Sequence, residues 1–79
     1  MKIEVLGTGC PKCKKLEELV RKVAQENNCD CEIEKVTDIN KIMAAGVMMT
    51  PALTIDGKVV LSGKLPTEDE LKKLIIPNC

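Results

Sequence analysis

Seventy-nine residues, 44% of them apolar and 30% charged, suffice for one small globular domain, of a size at which buried area is barely enough for stability. The formal net charge is zero, which gives no general electrostatic reason to bind nucleic acid or an anionic membrane. Phe, Tyr, Trp and His are all absent, so the core must be built from Ile, Val, Leu, Met and Ala, and His-dependent metal chemistry and Cys–His or Ser–His catalysis are excluded.

Residues 2–6 read as a short buried strand, entered directly from Met1-Lys2 with no signal-peptide pattern, so a cytoplasmic location is expected. No apolar run approaches the ~18 residues of a membrane span. A Gly7-Thr8-Gly9 turn leads into Cys10-Pro11-Lys12-Cys13. There an amphipathic segment begins, predicted to be helical from about Pro11 to Asn27 with Cys13, Leu16, Leu19, Val20 and Val23 on one face. Pro11 suits the first helical position and places Cys10 at the N-cap. Unpaired N–H groups and the partial positive charge of a helix start favour the thiolate of a cysteine placed there, the form that attacks disulfides.

Asn27-Asn28 ends this helix, and residues 31–36 set Cys31, Ile33 and Lys35 against Glu32, Glu34 and Val36, a mixed alternation expected of a strand near a sheet edge. Thr37-Asp38 offers a cap for a short helix whose apolar face is Ile39, Ile42 and Met43 and which stops at Gly46. Ala52 to Ile55 is a strand, Asp56-Gly57 a hairpin turn and Val59 to Ser62 the partner strand. Thr67 and Glu70 form a capping box for a last helix with Leu71, Leu74 and Ile75 on one face, stopped by Pro77. The order is βαβαββα, with no linker or repeat, which predicts a single domain over residues 1–79.

Five cysteines in a chain without a signal peptide point to redox exchange or metal binding rather than to a secreted disulfide scaffold. Cys10-x-x-Cys13 followed by Cys29-x-Cys31 superficially matches a four-cysteine zinc site, but a helix of about 17 residues would hold the pairs roughly 25 Å apart. A soft-metal chaperone is the other alternative, since Gly-x-x-Cys-x-x-Cys at a loop–helix junction also occurs there. Such domains run βαββαβ and end in a strand, whereas this chain ends in a capped helix. Cys29 and Cys79 belong at the end of the molecule opposite Cys10; Cys79 either pairs with Cys29 or Cys31, or all three stay as thiols.

The element order, Cys10-Pro11-Lys12-Cys13 after the first strand, and Thr50-Pro51 before the third, some 37 residues beyond Cys13, resemble the minimal thioredoxin/glutaredoxin-like family of short prokaryotic redox-active disulfide proteins. The resemblance implies an α/β thioredoxin-like fold, a mixed four-stranded sheet flanked by three helices. It also implies a thiol–disulfide oxidoreductase, an electron carrier that reduces protein or small-molecule disulfides through a Cys10/Cys13 couple. Cys10 would be the nucleophile and Cys13 the resolving thiol. Pro51 would be cis, and Thr50, Gly9, Pro11, Lys12 and Met49 would meet substrate. The implied partners are a disulfide-containing protein and a reductase, with no cofactor beyond the disulfide, no metal, no nucleic acid and no membrane, in a monomer.

Some positions depart from the better-known members. The family's aromatics before or within the motif are replaced by Gly9 and Pro11-Lys12, and Met48 and Met49 either supply an apolar contact surface or fill core. Glu4, six residues before Cys10, is either a proton acceptor for Cys13 or an exposed strand residue. Ser62-Gly63-Lys64-Leu65-Pro66 lacks the acidic continuation of a glutathione site, and Lys12 either meets a glutathione carboxylate or is a solvated lysine beside Cys10.

Overall fold

A computed structural model of the chain describes residues 1–78. Four strands, β1 (Lys2–Leu6), β2 (Glu32–Val36), β3 (Ala52–Ile55) and β4 (Lys58–Ser62), form one sheet in the order β2-β1-β3-β4. Three helices, α1 (Pro11–Glu26), α2 (Ile39–Ala44) and α3 (Glu68–Ile75), flank it, and a single 3₁₀ turn, Ile76–Asn78, follows α3. β1 lies parallel to β2 and antiparallel to β3, which in turn pairs antiparallel with β4. This is the mixed four-stranded sheet that the family resemblance implies. Among the described residues, no helix is long and apolar enough to cross a membrane.

Strand alternation divides the core in two. Ile3, Val5, Leu53 and Ile55 face α1 and α3, where they meet Leu16, Val20, Val23, Leu71 and Ile75. Leu6 and Ala52 face the other way and pack with Val36, Ile42 and Val47. Without aromatic rings the core is mostly Ile, Leu and Val side chains, each contributing about 1.5–3 kcal/mol when fully buried, so tight contact over many residues must substitute for bulk. An exposed ion pair, Lys22 Nζ to Glu68 Oε2 at 3.3 Å, links α1 to α3 at the rim of the larger cluster.

The helix and turn signals act locally. α1 ends at Glu26, one residue before the predicted limit, because Asn27 caps it: its N–H and its side-chain amide both donate to Val23 O, at 3.2 and 2.8 Å. Asn28 then takes a left-handed conformation (φ 53°), which Asn tolerates better than most residues. Asp56 and Gly57 both have positive φ, as a two-residue type I′ hairpin requires. The Asp56 carboxylate also accepts the Lys2 N–H at 2.8 Å, fixing the hairpin to the start of β1.

Two expectations change. Of the apolar face predicted for α2, only Ile42 is buried; Ile39 and Met43 face solvent. Six residues of helix cover one corner of the sheet, and Ile42 with Val47 already fills it. β4 begins at Lys58, because the I′ turn pairs Ile55 directly with Lys58. β2 is an edge strand, as its mixed pattern indicated, with Val36 its one fully buried residue.

Where β1 hands over to α1, the backbone approach is close. Gly7 N–H donates to Val36 O at 2.9 Å, and a Cβ added at Gly7 would overlap Cys13 Sγ and lie 2.9 Å from Cys13 Cβ. Gly7→Ala should therefore push Cys13 and the first turn of α1 outward and destabilise the protein by about 1–3 kcal/mol in thermal unfolding. At α3 the capping box is complete, with Thr67 Oγ1 accepting Glu70 N–H and Glu70 Oε1 accepting Thr67 N–H, each at 3.2 Å. Thr67→Ala should cost about 1 kcal/mol, a fall of roughly 4–8 °C in Tm.

The Lys64 ammonium, then Thr67, holds the exposed Glu70 carboxyl below its ordinary range. A depressed carboxylate pKa adds stability above the unfolded-state value and loses it as pH falls through the folded-state value. The stability gap between wild type and Glu70→Gln should accordingly be widest at neutral pH and close on acidification below about 4, in pH-dependent denaturant melts.

Candidate active site

The loop after β1 turns at Gly9 (φ 90°) and delivers Cys10 in an extended conformation (φ −67°, ψ 161°) to the N-cap of α1. Pro11 opens the helix, where its missing N–H is no loss. Cys10 Sγ accepts the Cys13 N–H at 3.2 Å, so the sulfur sits against the unpaired donors of the first turn. That turn contains no acidic residue, and Lys12, Lys14 and Lys15 stand exposed around it. Cys10 and Cys13, with Cα atoms 5.1 Å apart, are joined in a disulfide. The two sulfurs are not equivalent: Cys10 is half-buried, whereas Cys13 faces inward against Gly7 and is 2% exposed.

β3 enters the sheet at the same end. Ala52 pairs with Leu6, the last residue of β1, so the preceding Thr50-Pro51 segment stands beside the Gly7–Cys10 loop. The Thr50–Pro51 bond is cis, as the resemblance implied. Pro51 is buried, and its carbonyl accepts the Gly63 N–H at 2.8 Å, which joins this segment to the end of β4. Thr50 is exposed, as are Pro11 and Lys12, with Gly9 half-buried between them and the strand.

Met48 and Met49 are exposed and do not fill core. Met49 lies over Gly63, where an added Cβ would come within 2.9 Å of its own Cβ and 3.3 Å of its Sδ. Met48 helps line a depression of about 270 Å³ together with Thr8, Ile39, Ile42, Met43, Val47 and Thr50. The depression joins α2 to the loops carrying Cys10 and Pro51. Ile39, Met43 and Thr8 were not anticipated as part of this surface. The available signal was that a six-residue helix offers three apolar side chains to a corner that needs one.

Glu4 is not the exposed strand residue that one of its two readings expected. It is half-buried, lies on the Leu6 face of the sheet that α2 covers, and accepts the hydroxyl of Thr54, its cross-strand partner, at 3.4 Å. α1 packs its Leu16, Val20 and Val23 side chains against the opposite face.

Cys29 and Cys31 lie at the far end of the sheet, beyond the C-terminal end of α1. The 16 residues of α1 hold Cys29 and Cys31 roughly 24 Å from the Cys10–Cys13 pair, which rules out a shared zinc ion. Among the described residues no cluster of three or more Cys, Asp or Glu side chains is arranged to hold a metal. Cys29 is buried, and its N–H donates to Ala24 O at 2.8 Å. Cys31 is a free thiol whose pKa burial pushes up, opposite to what a nucleophile needs. The Cys79 pairing considered from sequence lies outside the described residues.

Comparison with known proteins covers nearly all of the chain. A family model described as a thioredoxin domain matches residues 1–76. A thioredoxin of Methanocaldococcus jannaschii is 45% identical over 71 residues, covering 90% of this chain and 81% of its own. A thioredoxin of Methanothermobacter thermautotrophicus is 36% identical over 75 residues, covering 95% and 97%. A probable thioredoxin of Archaeoglobus fulgidus is 33% identical over 69 residues, covering 84% and 75%. The likeness takes in every strand and all three helices, and with the disulfide at the head of α1 it makes this chain a member of the thioredoxin family, a small thiol–disulfide oxidoreductase working through Cys10 and Cys13.

Proposed function

We propose that Cys10 is the attacking and Cys13 the resolving sulfur of a single-domain, monomeric and cytoplasmic electron carrier that reduces protein disulfides. The observation that carries this assignment is the unequal placement of the two sulfurs, Cys10 half-buried at the helix N-cap and Cys13 buried behind it. In the reduced protein the free N–H groups of the first turn and the lysine charges around it favour Cys10 as thiolate. That thiolate attacks one sulfur of a target disulfide; the S–S bond breaks and the second target sulfur leaves as a thiolate, which takes up a proton. Cys13, one turn along the same helix, then attacks Cys10 Sγ. The mixed disulfide breaks, the remaining target sulfur leaves, and the Cys10–Cys13 disulfide holds the two electrons' worth of oxidation until a reductase removes it.

Substrate contacts are assigned to the exposed ring around Cys10. Gly9, Pro11 and Lys12 form one side, and Thr50 and Met49 the other. Thr50 offers backbone groups to an extended segment, Pro51 supports it from below, and the Met48, Met43 and Ile39 side chains continue the surface as an apolar floor. A segment whose cysteine reaches Cys10 has neighbours within ~3.4 Å per residue of that floor, and flexible thioethers adapt to varied side chains.

Cys10→Ser should reduce insulin-disulfide turnover to the uncatalysed background, while Cys13→Ser should accumulate mixed disulfides visible on non-reducing gels. Trapping by neither variant would refute the assignment. A redox titration should show a reversible two-electron couple at Cys10/Cys13 that is lost in both variants, and metal analysis should find no stoichiometric ion. A bound metal with no reversible couple would favour the soft-metal reading instead.

A further inference from the structure

Three of the four methionines are exposed on the side of the molecule where the loops carrying Cys10 and Pro51 meet α2. Met48 is 97% exposed, Met43 67% and Met49 65%, whereas Met1 is half-buried against the core cluster at the other end of the sheet. Met43 and Met48 share the ~270 Å³ depression with Thr8 and Thr50, and Met49 lies over Gly63, whose N–H is bonded to Pro51. Among the described residues no thiolate on this face competes for oxidants once Cys10 and Cys13 are paired in a disulfide.

We propose that Met43, Met48 and Met49 form an oxidation site at which hydroperoxides convert the rim of the substrate surface from apolar to polar and so weaken docking while the Cys10–Cys13 couple is preserved. The inference rests on the docking role proposed above for this surface. In the step itself a thioether lone pair attacks one peroxide oxygen, forming an S–O bond as the O–O bond breaks. The sulfur loses two electrons and the peroxide gains them. The proton of the attacked oxygen passes to the departing oxygen, which leaves as water from hydrogen peroxide or as an alcohol from an organic hydroperoxide. Each sulfoxide introduces a strong acceptor that must be stripped of water when an apolar segment docks. The site is most accessible to this chemistry when reductant is scarce, since the disulfide form then accumulates.

The test treats the disulfide form with hydrogen peroxide, removes the oxidant, and measures insulin reduction driven by dithiothreitol, with peptide mass mapping of each methionine. Oxygen should be added at Met43, Met48 and Met49 before Met1, and KM should rise about fourfold with kcat retained, the factor for losing roughly one methylene-sized contact. In a Met43→Leu, Met48→Leu, Met49→Leu variant, peroxide should leave KM at that variant's own untreated value. The corresponding Gln variant, polar without oxidation, should show a raised KM before any peroxide is added. Equal or faster oxidation of Met1, or an equal peroxide effect in the Leu variant, would overturn the oxidation site. An unchanged KM in the Gln variant would overturn the docking role itself. A raised KM there, with no peroxide effect in wild type, would leave docking standing and remove the oxidation site alone.

Discussion

The structure depends on β1 being shared by everything else. It pairs in parallel with β2 and antiparallel with β3, presents Ile3 and Val5 to α1 and α3, and presents Leu6 to the corner under α2. Its last residue also sets the site. Leu6 opposite Ala52 fixes Thr50-Pro51 at the strand's end, and Gly7 admits Cys13 to within contact of the backbone. A slip of one residue in that register would turn every β1 side chain to the wrong face and would separate Pro51 from the disulfide at the same time. Fold and site are therefore specified by one pairing.

A core without aromatic rings explains why the small devices carry weight. Small domains of this length bury only about 60–65% of the surface their unfolded chains expose. Each buried aliphatic side chain adds a modest amount, so caps and turns worth about 1 kcal/mol are a noticeable share of a total in the range of roughly 5–15 kcal/mol. The chain uses them at nearly every junction: Cys10 and Pro11 at the start of α1, Asn27-Asn28 at its end, Asp38 before α2, Asp56-Gly57 between β3 and β4, and Thr67 with Glu70 at α3.

Those same junctions are why so much of the fold was legible in the sequence. Capping, proline placement and the Asp-Gly turn act over three or four residues, and their chemistry does not depend on distant contacts. The redox pair was legible for the same reason, since a cysteine at an N-cap and another one turn later define each other's environment. Glu4, Ile39, Met43, Met48 and Met49 were a different matter. Whether an apolar side chain at these positions is core or surface depends on how far α2 reaches across the sheet, a tertiary quantity that periodicity over six residues does not carry. Glu4 depended on the register that sets it opposite Thr54.

The redox disulfide closes a very short stretch of chain, Cys10 to Cys13, that the N-cap and first turn of α1 already hold in place. A cross-link of four residues restricts the unfolded chain by only about 2 kcal/mol of entropy, against nearly 5 kcal/mol for one spanning a hundred residues. Neither the sheet nor the α1–α3 packing is threaded through it. The long-range packing of the scaffold thus does not run through the bond, whose opening costs about as much as the loss of one or two caps, and each electron transfer is confined to a single turn of helix.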